Sequence, residues 1–351
     1  MSIESVLRKL ENNMRIPKYL SPTSIKLFFS DREEFYIRYL ADERPPRPPQ
    51  TRPMSVGGAF DAYVKSFLFK KLFGKTDPQF ELQTIFEAQV EEQNRDWARI
   101  HGAHAFNCYR YSGALADLML ELEQAVHDPR FEFTVENRVA HEDFADGVPL
   151  LGKPDIYFVT KNRHHVILDW KVNGYCSQSN TSPKPGYIKI RDGWVEGSAP
   201  HSRSHNTMHK DCQPMMIDGL SVNLAGYFED VAIDWANQMI IYAWILGEQI
   251  GAQFIVGIDQ LACKGSGTEY PLIRIASHRA RVSCDYQKVL NRQIKYMWTR
   301  INDDGYILTD LSREECAERC AVLNDRHRAF EGGDAPKEKW FNDISNTHRK
   351  W

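Results

Sequence analysis

The sequence has no long apolar run, no Cys-x-x-Cys pair and no strong excess of charge of either sign. No apolar stretch approaches the ~20 residues that a membrane-spanning helix requires. The opening segment, MSIESVLRKLENNM, is charged and amphipathic and lacks the apolar core of a secretion signal. These absences argue against a membrane or secreted protein and predict a cytoplasmic chain.

The cysteine count and the charge balance exclude two further classes of protein. Seven cysteines, an odd number, argue against a disulfide framework. The net charge of −3 argues against a protein whose sole role is to coat nucleic acid, although it permits a local basic groove. Basic residues cluster from Arg44 to Arg52 and from Arg274 to Arg281, and each run is either a DNA contact or a solvated face.

The patterning predicts an α/β protein in three consecutive regions. Residues 1–125 are predicted to be a helical region, residues 126–300 a core, and residues 301–351 a helical tail. Within the core, residues 173–230 are rich in Ser, Asn, Gly, Pro and His and show little periodicity. We therefore expect an insertion that lies over the functional site of the core.

Several element boundaries follow from local signals. Ser21 and Pro22 have the residue types of a helix N-cap and first helical position. The segment SVGGAFDAYVKSFLFKKLFG is predicted to be a second helix, and VAIDWANQMIIYAWILGEQIG a later helix that ends near Gly251. The dipeptide Asp146-Gly147 is a strong turn signal in the first part of the predicted sheet.

Two short segments, LLGKPDIYFV (150–159) and HVILDWKV (165–172), carry the most informative pattern. Both alternate and are rich in β-branched and aromatic residues, so each is predicted to be a strand. A hairpin centred on Asn162 places Asp155 and Asp169 seven residues from the centre on either side, facing each other. Directly opposed side chains lie about 4.5–5.5 Å apart at Cβ.

Facing carboxylates destabilise a hairpin unless a cation lies between them. Lys171, two residues after Asp169, points to the same face. The pattern therefore predicts a divalent-cation site with an amine beside it. Two alternatives stay open: Asp-x-Lys is common on ordinary strands, and a one-residue slip in register would move one carboxylate to the other face.

Four short motifs follow one another along the chain. They are Gly57-Gly58-Ala59-Phe60-Asp61, Gly152-Lys153-Pro154-Asp155, Asp169-Trp170-Lys171 and Gln238-x-x-x-Tyr242. In this order they resemble the motifs of the PD-(D/E)XK nuclease superfamily, most closely those of its RecB-like branch, which includes phage exonucleases. The resemblance covers roughly residues 20–260 and implies a restriction-endonuclease-like core, in which helices flank a mixed central sheet, and a location in the host cytoplasm if a phage encodes the chain.

The resemblance implies a metal-dependent deoxyribonuclease. Mg²⁺ or Mn²⁺, with room for two ions, would be bound by Asp155, Asp169 and the Trp170 carbonyl, and also by Asp61, which stands where the branch usually has His. Lys171 would orient or deprotonate the attacking water.

The resemblance also extends to the surroundings of the chemistry. Gln238 and Tyr242 would position the scissile phosphate, and Glu136 is a further candidate near the site. The implied partners are DNA and a single-strand annealing or other recombination protein. We favour an exonuclease. The alternatives are a structure-specific endonuclease and a DNA- or protein-binding module that has the same fold without catalytic activity.

Two other metal groups are considered. An iron–sulfur cluster, present in some relatives, is disfavoured because Ser30-Asp31 stands where a Cys is expected and Cys316 and Cys320 lack a third partner nearby. A zinc site in the insertion would use His205, His209 and Cys212, since His201 lies too far along a helix to share one ion with His209. The last alternative is therefore an interaction protein that zinc stabilises through the insertion. We favour instead an insertion that forms a polar loop near DNA.

Overall fold

The structure is a computed structural model that describes residues 16–302 with short gaps. The gaps are 41–48, 75–76, 132–134, 142–143, 178–185, 192–193, 198–205, 209–214, 218–219, 223–226 and 266–267, and side chains are also not described within 135–146 and 191–222.

The chain divides into two compact units, each assembled from separate stretches of sequence. The first contains Met1–Pro48, Ala140–Leu150 and Arg292–Trp351, and the second contains Pro49–Val139 and Leu151–Asn291. The sequence analysis expected consecutive regions instead. Every site residue with a described side chain belongs to the second unit.

In the first unit, helix α1 (Pro22–Ser30) begins as predicted. The Ser21 hydroxyl accepts a hydrogen bond from the Ser24 backbone N–H, and the Ser24 hydroxyl accepts one from the Ser21 backbone N–H. Pro22 occupies the first helical turn. Beyond α1 lie a short helix α2 (Arg32–Phe35) and a π-helical turn (Tyr36–Leu40).

The helices of the second unit confirm the predicted helical segment and its end at Gly74, but this helix begins three residues earlier than predicted. The helix predicted from Ser55 is α3 (Arg52–Phe73), which begins at the N-cap Thr51 and ends at Gly74, where a φ of 61° favours glycine. The helices that follow are a 3₁₀ turn (Pro78–Phe80), α4 (Leu82–Gln89), a second 3₁₀ turn (Glu92–Asn94), α5 (Arg95–Tyr111) and α6 (Ala114–Glu123).

The strands and later helices complete the α/β architecture that the sequence predicted. In chain order they are β1 (Arg130–Phe131), β2 (Val135–His141), β3 (Phe144–Gly152), β4 (Ile156–Val159), β5 (His165–Asn173), β6 (Gly186–Arg191), β7 (Trp194–Gly197), β8 (Asn206–Met208), β9 (Met215–Ile217), β10 (Leu220–Val222), α7 (Phe228–Val231), α8 (Ile233–Ile245), β11 (Ile255–Lys264), β12 (Leu272–Arg281) and α9 (Cys284–Asn302).

Eight strands form one mixed sheet in the order β1-β4-β5-β11-β12-β6-β7-β8. The β5–β11 and β12–β6 pairs are parallel and the other pairs are antiparallel. Helices lie on both faces of this sheet. One face packs against α3, α5 and α6 through a buried core that includes Phe60, Tyr109, Leu168 and Trp170, and α8 lies against the other face.

Several predicted boundaries were wrong. Asp146-Gly147 does not form the turn but lies inside β3, where Gly147 takes a φ of 68°. The segment 150–159 is not one strand, because β3 ends at Gly152 and β4 begins at Ile156. Helix α8 ends at Ile245 rather than near Gly251, because the chain turns through Gly247 at a φ of 105°.

Residues 173–230 are also more regular than the sequence predicted. Strands β6, β7 and β8 extend the central sheet beyond β12, and β9 pairs with β10 in a separate antiparallel ribbon. Tyr187 is buried on one face of the sheet, and Ile188 and Ile190 are buried on the other. A strand that is buried on both faces and is this short shows no clear alternation in its sequence.

Candidate active site

The β4–β5 hairpin has the predicted register. Ile156 pairs with Leu168 and Tyr157 with Ile167, so the next step along the ladder places Asp155 opposite Asp169. The turn is centred on Asn162, where the Thr160 N–H donates to the His164 carbonyl at 2.9 Å. The two carboxylates therefore converge on one face of the sheet, and the slipped register is excluded.

A chain of hydrogen bonds connects Asp169 to helix α8. Lys171 Nζ lies 2.6 Å from Asp169 Oδ2 and donates to Gln238 Oε1 at 2.9 Å. The Gln238 amide nitrogen donates to Tyr242 OH at 2.8 Å and lies 3.5 Å from Asp169 Oδ1. Because Gln238 and Tyr242 are four residues apart, they share one face of α8. The structure thus brings all four predicted residues together.

A buried lysine, which the sequence analysis did not single out, connects Asp61 to Asp155. Lys65 Nζ donates to Asp61 Oδ2 at 2.7 Å and to Asp155 Oδ1 at 2.8 Å. Its side chain is only 2% exposed. Gln89 Nε2 also donates to Asp61 Oδ2, at 2.6 Å. The only sequence signal was Asp61 and Lys65 at an i, i+4 spacing, which is typical of a solvated helix face.

The electrostatics of the three carboxyls differ. Burial, reinforced by nearby Asp155, raises the pKa of both Asp61 and Asp169 to about 7. Burial also opposes charge on Asp155. There, however, the Lys65 ammonium, Lys171 and the Trp170 N–H outweigh burial and hold the pKa of that carboxyl below its ordinary value. The site therefore holds one firmly ionised carboxylate and two that resist ionisation.

Trp170 and Glu136 complete the predicted set. The Trp170 backbone N–H donates to Asp155 Oδ2 at 3.2 Å, which orients that carboxylate. Its indole is buried on the opposite face of the sheet and donates to Tyr109 OH at 3.4 Å, while Tyr109 donates to buried Asp259. Glu136 lies on β2, outside the side chains that the structure describes.

The carboxyl groups of the site have the chemistry that binds a hard cation, but they are not arranged around a cation position in this structure. Asp61, Asp155 and Asp169 offer the carboxylate oxygens that Mg²⁺ and Mn²⁺ prefer, and Asp169 Oδ2 is buried without a well-aligned hydrogen-bond donor in the described residues. However, no group of three or more His, Cys, Asp or Glu side chains in that part of the chain is arranged to hold a metal ion. The Lys65 and Lys171 ammonium groups lie against the carboxylates instead.

The predicted ligands of the alternative metal sites lie outside the described residues. They are His201, His205, His209 and Cys212 of the candidate zinc site, together with Cys316 and Cys320.

The basic run from Arg274 to Arg281 is not a uniform surface. Arg279 is buried, and its guanidinium forms ion pairs with Asp259 at 2.9 Å and Glu121 at 3.0 Å, so this residue stabilises the sheet from within. In the earlier run, Arg52 lies over the Trp97 ring, 5.4 Å from its centroid, and 41–48 are outside the described residues. Arg279 is therefore buried away from any ligand, whereas Arg52 is exposed.

No protein-family model matches the chain, and no curated protein matches it either. Among the residues that the structure describes, no helix combines the length and apolar character needed to cross a bilayer.

Proposed function

We propose that this chain is a metal-dependent deoxyribonuclease of the PD-(D/E)XK superfamily, RecB-like branch, with a restriction-endonuclease-like core. The observation that carries the proposal is the pair of carboxylates Asp155 and Asp169, which face each other across one hairpin with Lys171 Nζ 2.6 Å from Asp169. These groups suit metal-assisted phosphodiester hydrolysis, in which water is activated while negative charge grows on the phosphate.

Asp155 and Asp169 would hold Mg²⁺ or Mn²⁺, with the Trp170 carbonyl and Asp61 as further ligands. A bound divalent ion supplies water of lowered pKa and neutralises charge on the phosphate. Such an ion would also favour the ionised forms of Asp61 and Asp169, whose pKa is raised to about 7 by burial.

The remaining chemistry belongs to the protein's own side chains. The water gives up a proton to solvent as its oxygen bonds to phosphorus. The bond from phosphorus to the leaving oxygen breaks, the leaving oxygen keeps the electron pair and takes a proton from solvent, and negative charge accumulates on the non-bridging oxygens during the step. The Lys171 ammonium is partly exposed, so it can donate to the water or to those oxygens. Gln238 holds this ammonium in place, and Tyr242 holds Gln238.

An exonuclease in phage-type recombination, repair or DNA processing is the form of the activity that we favour, with a single-strand annealing or other recombination protein as a candidate partner. The test uses purified protein, Mn²⁺ and end-labelled linear DNA, with closed circular DNA in parallel. Release of nucleotides from linear DNA alone supports an exonuclease, whereas nicking of the circle supports a structure-specific endonuclease.

Lys171→Ala tests the chemistry directly. We expect cleavage to fall by at least about a hundredfold, since the hydrogen bond of the ammonium to the water and its stabilisation of the developing negative charge are both lost. Lys161→Ala, at the exposed tip of the same hairpin, is the matched control and should retain full activity. Full activity of Lys171→Ala would overturn the mechanism.

A second candidate function is favoured by Lys65. Its ammonium occupies oxygens of both Asp61 and Asp155, as a cation would, and this arrangement suits a non-catalytic DNA- or protein-binding module that kept the fold. Calorimetric titration with Mn²⁺ separates the two. Binding that is lost in Asp155→Asn supports the nuclease, and the absence of binding supports the module.

A further inference from the structure

The two faces of the sheet differ in how they are covered in the part of β5 that follows Lys171. Trp170 and Val172 on β5 point to the face that packs against α3, α5 and α6. Lys171 and Asn173 point to the opposite face, the one that carries Asp169, because side chains alternate along a strand. The register extends this second face across two more strands: Gln260 lies beside Lys171, and Ala262 lies between Asn173 and Arg274.

This second face is covered at one end and open at the other. Toward the start of β5 it is buried, since Ile258 and His278 are sealed beneath α8 and its neighbours, with the His278 ring 6.3 Å from that of Trp235. Toward the end of β5 its residues are exposed or half-buried. We call these residues the open strip: Asn173, Gln260, Ala262, Lys264 and Arg274.

Small residues flank Arg274 on both adjacent strands. Its neighbours across the sheet are Ala262 on β11 and Gly186 on β6, so neither strand places a bulky side chain next to the guanidinium. The Gln260 amide nitrogen lies 3.5 Å from Asn173 Oδ1, so amide groups lie between Lys171 and Arg274.

The charge of the open strip is of one sign. Arg274 and Lys264 are cationic, Lys171 stands at the head of the strip, and none of its members is acidic. Arg274 is half-buried and has no carboxylate in contact within the described residues, so burial lowers the pKa of its guanidinium. A half-buried cation without a counter-charge is unfavourable, and a bound anion would remove that cost.

The spacing suits a polymer of phosphates. Arg274 lies two strands across from Lys171 and two residues further along. At about 4.8 Å between strands and 3.3 Å per residue, this separation is roughly 12 Å between Cα atoms. A strand that keeps the rise of duplex DNA carries one charge per ~3.4 Å of axis, so about three to four nucleotides of such a strand would span the strip, and fewer of an extended one.

We infer that the open strip binds the phosphodiester backbone of a single nucleic-acid strand and leads it to the carboxylate site. This inference rests on the proposed function and adds the path of the substrate. The amide groups and Lys171 contact the phosphates nearest the site, and Arg274 contacts a phosphate further along. Backbone contacts of this kind position a strand without reading its sequence.

Fluorescence anisotropy with a labelled oligothymidine tests the inference, in EDTA so that no metal-dependent cleavage occurs. Arg274→Gln should weaken binding about three- to tenfold at low salt and reduce the dependence of log K on log salt by about 0.7, the value for one phosphate contact on a single strand. Arg281→Gln is the matched control, since Arg281 is exposed on the same strand but points to the opposite face.

The outcomes separate the strip from the chemistry. Equal binding by Arg274→Gln and Arg281→Gln, or no binding by the unmodified protein, overturns the inference. If Arg274→Gln alone weakens binding while no divalent ion supports cleavage, the strip stands and the nuclease proposal fails. If cleavage occurs and both variants bind equally, the nuclease proposal stands and the strip fails. Equal thermal unfolding of both variants checks that the fold is intact.

Discussion

Lys65 shows how one buried side chain can dominate a site. Its ammonium is the shared partner of Asp61 and Asp155, and it has almost no contact with solvent. A buried charge of this kind is stable only because the opposite charges surround it. Three carboxyls and two ammonium groups meet here, and a bound divalent cation would favour ionisation of the two carboxyls whose pKa burial raises to about 7.

Replacing Lys65 tests this balance. Lys65→Met should lower the free energy of unfolding by about 3–5 kcal/mol, because Asp155 loses its partner in a buried setting. Mn²⁺ should restore part of this loss, by binding the folded state alone, and should stabilise the variant more than the unmodified protein. Denaturant unfolding with and without Mn²⁺ measures both effects.

The control for this experiment is Lys70→Met, which removes an exposed lysine from the same helix and should change stability little. A Lys65→Met protein as stable as Lys70→Met would show that the ion pairs of Lys65 contribute nothing to folding.

At the scale of elements, helix α3 positions Asp61 and Lys65, and its position depends on close packing against α5. Gly102 on α5 has no side chain because Ala59 of α3 occupies that space. A Cβ at Gly102 would overlap Ala59 Cβ and lie 3.1 Å from the Ala59 carbonyl carbon. Gly57, on the same α3 helix, has open space around it. Helix packing therefore requires glycine at position 102, whereas the space around Gly57 accommodates a side chain.

A matched pair of substitutions follows. Gly102→Ala should force α3 and α5 apart and destabilise the protein by about 1–3 kcal/mol, the usual range for overpacking. Gly57→Ala should instead be neutral or stabilise by about 0.5–1 kcal/mol, because alanine favours helix. Thermal unfolding measures the difference. If Gly102→Ala were the more stable of the two, the close contact between the helices would be refuted.

At the scale of the whole molecule, the buried carboxyls couple stability to pH. Burial raises the pKa of Asp61 and Asp169 from 3.8 to about 7, so between these values the folded state binds more protons than the unfolded state. Stability contributed by the neutral forms is therefore present at low pH, is lost as pH rises from about 4 to 7, and stays constant above. Each unit of pKa difference corresponds to about 1.4 kcal/mol.

Asp169→Asn should remove part of this dependence, because an amide does not titrate. We expect a shallower fall in melting temperature from pH 5 to pH 8 for Asp169→Asn than for the unmodified protein. Asp285→Asn, which alters an exposed carboxyl, should keep the original slope. Identical slopes for Asp169→Asn and the unmodified protein would contradict the raised pKa of Asp169.

The fold and the site were predictable to different extents. The hairpin about Asn162, the cap at Ser21 and the helix that ends at Gly74 were predicted correctly, because each depends on residues close together in sequence. The end of α8 was misplaced because the apolar pattern continues past Ile245, whereas Gly247 turns the chain. Strands β6 to β8 were missed because they are short and are defined by their neighbours in the sheet.

The sequence by itself predicted that Asp155 faces Asp169, that Lys171 shares their side of the strand, and that Gln238 and Tyr242 share a helix face, because strand alternation and helical spacing act over a few residues. The strand pairing in the structure then excluded the slipped register. Only the tertiary structure decided that Lys65 is buried between two carboxylates, that Arg279 is internal and that Arg274 lies on an open face. Those properties depend on which helices cover which side of the sheet, and contacts between residues far apart in the chain set that arrangement.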